Sequence, residues 1–256
     1  MPIKSGACRF LLTQKKALMH FRAAFNSIQP ARGMFRRTSH AIFWLDNLAR
    51  RAYDHAVKQT MVALDLEGVL VPEIWIAVAE ETGIDALRRT TRDEPDYDVL
   101  MRYRLDILSE NRLQLGDIQR VIGTLAPLEG AKGFLDELRS RYALTILSDT
   151  FVEFAKPLMR QLDWPALFCN HLEVQNDVVV DYHLRQPDQK RECVRAFHSL
   201  NYRVISAGDS YNDTTMLAEA DQGILFRAPE NVREEFSQFP AVTEYAELLA
   251  QIKQAA

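Results

Sequence analysis

The stretch MVALDLEGVLVPE, residues 61–73, ends a four-residue apolar run in one carboxylate, Asp65, and sets a second, Glu67, two positions on. An apolar run of this length that breaks at a glycine, here Gly68, reads as a buried strand. The pattern recurs. LTILSD (144–149) is a second such run, ending in Ser148, Asp149 and Thr150, and VISAGD (204–209) a third, ending in SAGDSYND with Asp209, Asn212 and Asp213. GILF (223–226) reads as a fourth strand.

Helical patterns separate these strands, over 74–83, 96–113, 116–126, 131–140, from Thr150 to about 162, over 188–199, and in a closing helix over 242–254. A short strand near Ala166–Cys169 and a hairpin from Leu172–Val174 and Val178–Leu184, turning at Asn176-Asp177, complete the reading. Short apolar strands alternating with helices specify an α/β fold whose mostly parallel sheet is covered on both faces. The helical block between 74 and 127 is long for one crossover and reads as a small cap inserted after the first strand.

In a parallel sheet the C-terminal strand ends share one edge, where open α/β folds place their ligands. Asp, Ser and Gly also end strands and cap helices with no further purpose. Carboxylates crowded from three strands repel one another unless something neutralises them. With oxygen donors and no Cys/His cluster, the neutralising ion expected is Mg²⁺, bound together with substrate phosphate. A carboxylate beside such an ion can attack phosphorus and carry the phosphoryl group.

Composition narrows the classes further. Residues 1–60 hold 11 Lys or Arg against two acids, and the remaining 196 hold 20 against 33. The acidic body argues against nucleic-acid binding. Cys8, Cys169 and Cys193 form no CxxC pair, as expected of reduced thiols in the cytoplasm. No apolar run is long enough for a membrane span. Three readings of the basic segment 1–60 stand side by side. It is a membrane-surface, partner-binding or targeting arm with helices over about 9–27 and 42–57, a peripheral extension, or the product of an overlong start ahead of Met61. In each the catalytic domain is 61–256.

The segments LDLEGVLVPEIWIA, LSDT and SAGDSYNDTTML, in this order over about residues 61–250, resemble the haloacid-dehalogenase-like phosphohydrolases. Within them the likeness is to the phosphoserine phosphatase group, including its branch that also passes phosphate to homoserine. The resemblance implies a Rossmannoid core with a small helical cap, Mg²⁺ as cofactor, O-phospho-L-serine as substrate, homoserine as an alternative acceptor, and compatibility with a homodimer. It implies that Asp65 is the nucleophile and that Glu67 is the acid/base whose backbone carbonyl also meets the metal. Ser148 then holds phosphate, Lys190 neutralises phosphate and nucleophile, Asp209 is a direct metal ligand, Asp213 binds the metal through water or orients Lys190, and Asn212 touches phosphate or a metal-bound water. Arg185 and Arg191 compete with Lys190 for its role. Glu73 pairs with the substrate ammonium and Arg104 with its carboxylate, Arg102 pointing elsewhere. Two departures from the usual family pattern stand out: Glu in place of Asp at 67, and Asp149-Thr150 where glycines are usual. Both bear on the pocket floor and on whether water or an alcohol completes the reaction.

Overall fold

The strand β1, Gln59–Leu64, runs through the middle of a seven-stranded sheet. The computed structural model describes residues 58–256 apart from 92 and 95; the helices expected over 9–27 and 42–57 lie outside the described residues. β1 starts two residues ahead of the sequence expectation, because Gln59 and Thr60 already pair with Tyr202 and Arg203. Its last three residues, Val62, Ala63 and Leu64, have no exposed surface, as a strand covered on both faces requires.

From β1 the chain enters helices α1 (Ile74–Thr82), α2 (Tyr97–Glu110) and α3 (Leu115–Thr124), with a short 3₁₀ turn at Asp85–Arg88. This is the expected cap. Helix α4 (Ala131–Arg139) then leads to β2 (Ala143–Phe151) and α5 (Val152–Gln161). The antiparallel pair β3 (Ala166–Gln175) and β4 (Val178–His183) precedes α6 (Gln189–Ser199). β5 (Tyr202–Gly208), a 3₁₀ turn at Tyr211–Asp213, α7 (Thr214–Glu219) and β6 (Gln222–Phe226) follow. The chain closes with α8 (Glu230–Glu235), β7 (Ala241–Val242) and α9 (Tyr245–Ala255). Strand order is β4-β3-β2-β1-β5-β6-β7, parallel except for β3 with β4.

Two expectations need correction. The strand near 166–169 and the first arm of the hairpin are one continuous strand, whose first half pairs with β2 and second half with β4. β2 also continues past Asp149 to Phe151, after its pairing with β3 shifts register between Leu147 and Phe151. Ser148, Asp149 and Thr150 therefore sit in an irregular stretch of strand, with main-chain groups released from the regular ladder.

The cap is joined to the body by apolar packing and by the hairpin. Leu115, Ile118, Val121 and Ile122 form the buried stripe of α3, and the helix packs against α1 and α5. At the hairpin tip Asn176 and Asp177 both have positive φ, 51° and 68°, as a two-residue turn of this hand demands. Asp177 then caps α3. Its carbonyl accepts from Leu115 N at 2.8 Å, and its carboxylate from Gly116 N at 3.2 Å. Further along, Arg102 of α2 pairs with Asp181 at 2.7 Å, and Tyr182 donates to Asp98. Replacing Asp177 with Ala removes a side-chain cap and is expected to cost about 1 kcal/mol, read as a lower urea midpoint with unchanged m-value.

Candidate active site

Lys190, 2 % exposed at the start of α6, meets three carboxylates. Its Nζ lies 2.9 Å from Asp65 Oδ1, 2.7 Å from Asp213 Oδ1 and 3.3 Å from Asp149 Oδ2. Each acid comes from a different strand end. Asp65 follows β1 and its N–H donates to the Ala207 carbonyl of β5 at 2.9 Å. Asp149 lies in the irregular end of β2. Asp213 lies in the turn after β5, where its Oδ2 accepts from Asp209 N at 2.9 Å and Ser210 N at 3.1 Å. One carboxylate thus orients Lys190 and ties down the loop carrying Asp209.

Two glycines make this crowding sterically feasible. A Cβ on Gly68, whose φ is +74°, would lie 2.4 Å from Asp209 Oδ2, and one on Gly208 would lie 2.3 Å from Asp213 Cγ. The chain passes the acids at a distance only hydrogen allows.

Charge is unbalanced in this floor. Burial alone would strip Lys190 of its proton, but Asp149, Asp213 and Asp65 outweigh it and hold the ammonium well above its ordinary range. Burial, then the charge of Asp213, push Asp65 well above the usual carboxylate range, more than Lys190 restores. Asp209 is pushed up to about 7 by burial and by Asp213 and Glu73. Burial also opposes ionisation of Asp149, yet Lys190 and the amides of Asn212 and Gln189 prevail and lower it. Asp65, Asp209 and Asp213 each present an oxygen within 4.8 Å of the others. Buried, all-oxygen and short of positive charge, this set fits a hard divalent cation. The Glu67 side chain is turned elsewhere: its Oε2 accepts from Ile74 N at 2.8 Å, capping α1.

A cavity of about 310 Å³ stands over these acids. Asp65, Glu67, Ser148, Asp149, Thr150, Lys190, Asp209 and Asn212 line its body side, while Glu73, Trp75, Tyr97 and Arg104 enter from the cap. Of the sequence-predicted residues, only Asp213 is absent from the lining, being fully buried beneath it. Burial, then the charge of Glu73, push Glu67 up to about 7, against the pull of the Ile74 N–H and Arg104. Arg102 points away as expected, to Asp181. Arg185 and Arg191 are occupied with Gln189 and Cys193, and with Glu219.

Residues 43–221 match the family model of the haloacid dehalogenase-like hydrolases. The chain belongs to that family. It is similar to phosphoserine phosphatase ThrH of Pseudomonas aeruginosa, 67 % identical over 189 residues, 73 % of this chain and 92 % of the relative. A phosphoserine phosphatase of Pseudomonas syringae pv. tomato is 65 % identical over 73 % of this chain and 80 % of its own. A solved phospho-aspartyl intermediate analogue of phosphoserine phosphatase superposes with a TM-score of 0.65, covering 76 % of this chain and 99 % of that one. At 20 % identity that likeness shows the shared fold.

Two residues of this haloacid dehalogenase-like site escaped the sequence reading. Gln189, buried beside Lys190, donates through Nε2 to the Ser148 carbonyl at 2.8 Å and to Asp149 Oδ1 at 3.1 Å. Tyr97, at the start of α2, donates its hydroxyl to the Asp149 carbonyl at 3.0 Å, a bond from cap to body. Adjacency to Lys190 was the available signal for Gln189. Tyr97 had none, since its partner lies 52 positions away.

The raised carboxylates make cation binding compete with protons. Asp209 at about 7 when folded, against about 4 when unfolded, means the folded metal-free protein holds the extra proton across that window. Metal-free stability is therefore expected to fall as pH rises from about 4 to about 7. A divalent chloride should then raise the melting temperature more at pH 8 than at pH 6. An equal rise at both values would count against this carboxylate set. Lys190→Met leaves buried carboxylates without their partner and is expected to destabilise the metal-free protein by about 3–5 kcal/mol at pH 8 in urea titrations.

Proposed function

We propose that this protein is a Mg²⁺-dependent phosphatase of O-phospho-L-serine acting through a phosphorylated Asp65. The observation that carries the reading is Asp65, held by Lys190 at 2.9 Å on the floor of a cavity whose cap side carries Arg104. The relatives at 65–67 % identity, which bear the name phosphoserine phosphatase, support it.

Asp65 is the nucleophile: a carboxylate oxygen forms a bond to phosphorus as the seryl oxygen–phosphorus bond breaks. Mg²⁺, held by Asp65, Asp209, Asp213 and the backbone carbonyl of Glu67, would neutralise the floor so that a phosphate dianion can approach. Lys190 balances charge on the transferring group, and Ser148 and Asn212 hold its oxygens. Glu67 gives its proton to the departing serine oxygen, then takes one from the water that attacks the phosphorylated Asp65. A carboxyl pushed up to about 7 is suited to both transfers near neutral pH. Glu73 faces the substrate ammonium, and Arg104 its carboxylate.

The same reading extends to homoserine as an acceptor in place of water. Asp149 and Thr150 support it, lining the cavity where the usual pattern has glycines and supplying polar groups beside the phosphorylated carboxylate.

Incubation with O-phospho-L-serine and Mg²⁺ should release phosphate, and Asp65→Asn should lower the rate by at least about a thousandfold. Wild-type activity in Asp65→Asn would remove the nucleophile assignment. With homoserine added, mass spectrometry should detect O-phosphohomoserine; phosphate as the sole product would confine the enzyme to hydrolysis.

A further inference from the structure

Arg104 is 6 % exposed, and its Nε has no hydrogen-bond partner among the described residues. Its Nη2 donates to the Arg89 carbonyl at 2.9 Å, and the one hydrogen-bond acceptor of Nη1 among the described residues is Met101 Sδ, a weak acceptor, at 3.8 Å. Nη2 carries a second hydrogen, so among the described residues the edge made by Nε and Nη2 has donors left for an anion. What fixes that edge is an aromatic face. The guanidinium carbon lies 4.6 Å from the centroid of the Trp75 ring. Guanidinium donors lie in the plane of the group, so a ring stacked on its face restrains the plane without consuming a donor.

Trp75 is itself held in place. It is 8 % exposed, lies in the first turn of α1, and packs edge-on against Phe154 of α5 at 5.4 Å between centroids and 71° between planes. Phe154 is fully buried, three residues beyond β2. The indole is thus a wedge between a body helix and the cap arginine.

We propose that Trp75 is a positioning residue for substrate selection, its indole face presenting the Nε–Nη2 edge of Arg104 to a carboxylate in the cavity. The inference rests on the proposed function and adds to it the residue on which selection for an amino-acid ester depends. An aliphatic side chain, smaller than indole and without a planar face, lets the guanidinium turn, so the planar match to a carboxylate has to be ordered at each binding event.

The test is steady-state kinetics of the full chain on O-phospho-L-serine and on phosphoethanolamine, which differs by lacking the carboxylate. Trp75→Leu should lower the ratio of the two kcat/KM values about fivefold to twentyfold, mainly through a higher KM for phosphoserine. Trp75→Phe, which keeps an aromatic face, should hold the ratio within about threefold of wild type. In an Arg104→Met background Trp75→Leu should change the ratio no further. Should Trp75→Leu fail to fold, Trp75→Met reads the same ratio. An unchanged ratio, including a uniform loss on both esters, overturns the proposal, as does an undiminished effect without Arg104. A wild type that turns over both esters equally overturns it together with the assignment of Arg104, while leaving the phosphatase chemistry in place. A wild type inactive on both overturns the proposed function and this inference with it.

Discussion

The contact of Lys190 with Asp65, Asp149 and Asp213 is the constraint around which the body is arranged. The partners come from three separate strand ends, and the lysine from a helix 125 positions beyond Asp65. Bringing them together requires β1, β2 and β5 to lie side by side with their C-terminal ends level, which the parallel register provides. It also requires bare backbone at Gly68 and Gly208. The assembly is costly in charge, since one ammonium faces several buried carboxylates. Such a cluster contributes little to stability by itself, and its oxygen donors fit a divalent cation.

A second charge arrangement sits above the first. Glu67 and Glu73 bracket the start of α1, and Arg104 reaches the same cavity from α2. The helix start stabilises the Glu67 carboxylate through the Ile74 N–H, while burial and Glu73 oppose it. The result is a group that changes protonation near neutrality, next to acids whose charge a cation would take up. Under the proposed function, body and cap would divide the work: one would handle the phosphoryl group, the other the remainder of the substrate.

Much of this was legible in the sequence because strand ends carry a local signature. LDLE, LSDT and AGDSYND each combine an apolar run with polar residues at its end, and period and turn chemistry located β1 and every helix of nine or more residues, while the ten-residue β3 was read as two separate pieces. The Asn176-Asp177 turn was legible for the same reason. The end of β2 was not, because its continuation to Phe151 depends on a register shift against β3 that local pattern does not encode. Short elements such as α7, α8 and β7 have too few residues to show a period. Tyr97 meets Asp149, and Trp75 meets Arg104, only through approach in space, while Gln189 had no signal beyond its place next to Lys190.

The hairpin formed by β3 and β4 places its tip against the cap, where Asp177 accepts the first amides of α3. Hairpin tips are usually where a chain accommodates added residues, since solvent receives whatever is inserted. Here the tip is a bearing surface. A tag or loop graft between Asn176 and Asp177 would shift the carbonyl and carboxylate that hold the first amides of α3. Such a graft, made in the body's own hairpin, would be felt in the cap, so the economical sites for engineering this protein lie on other surfaces.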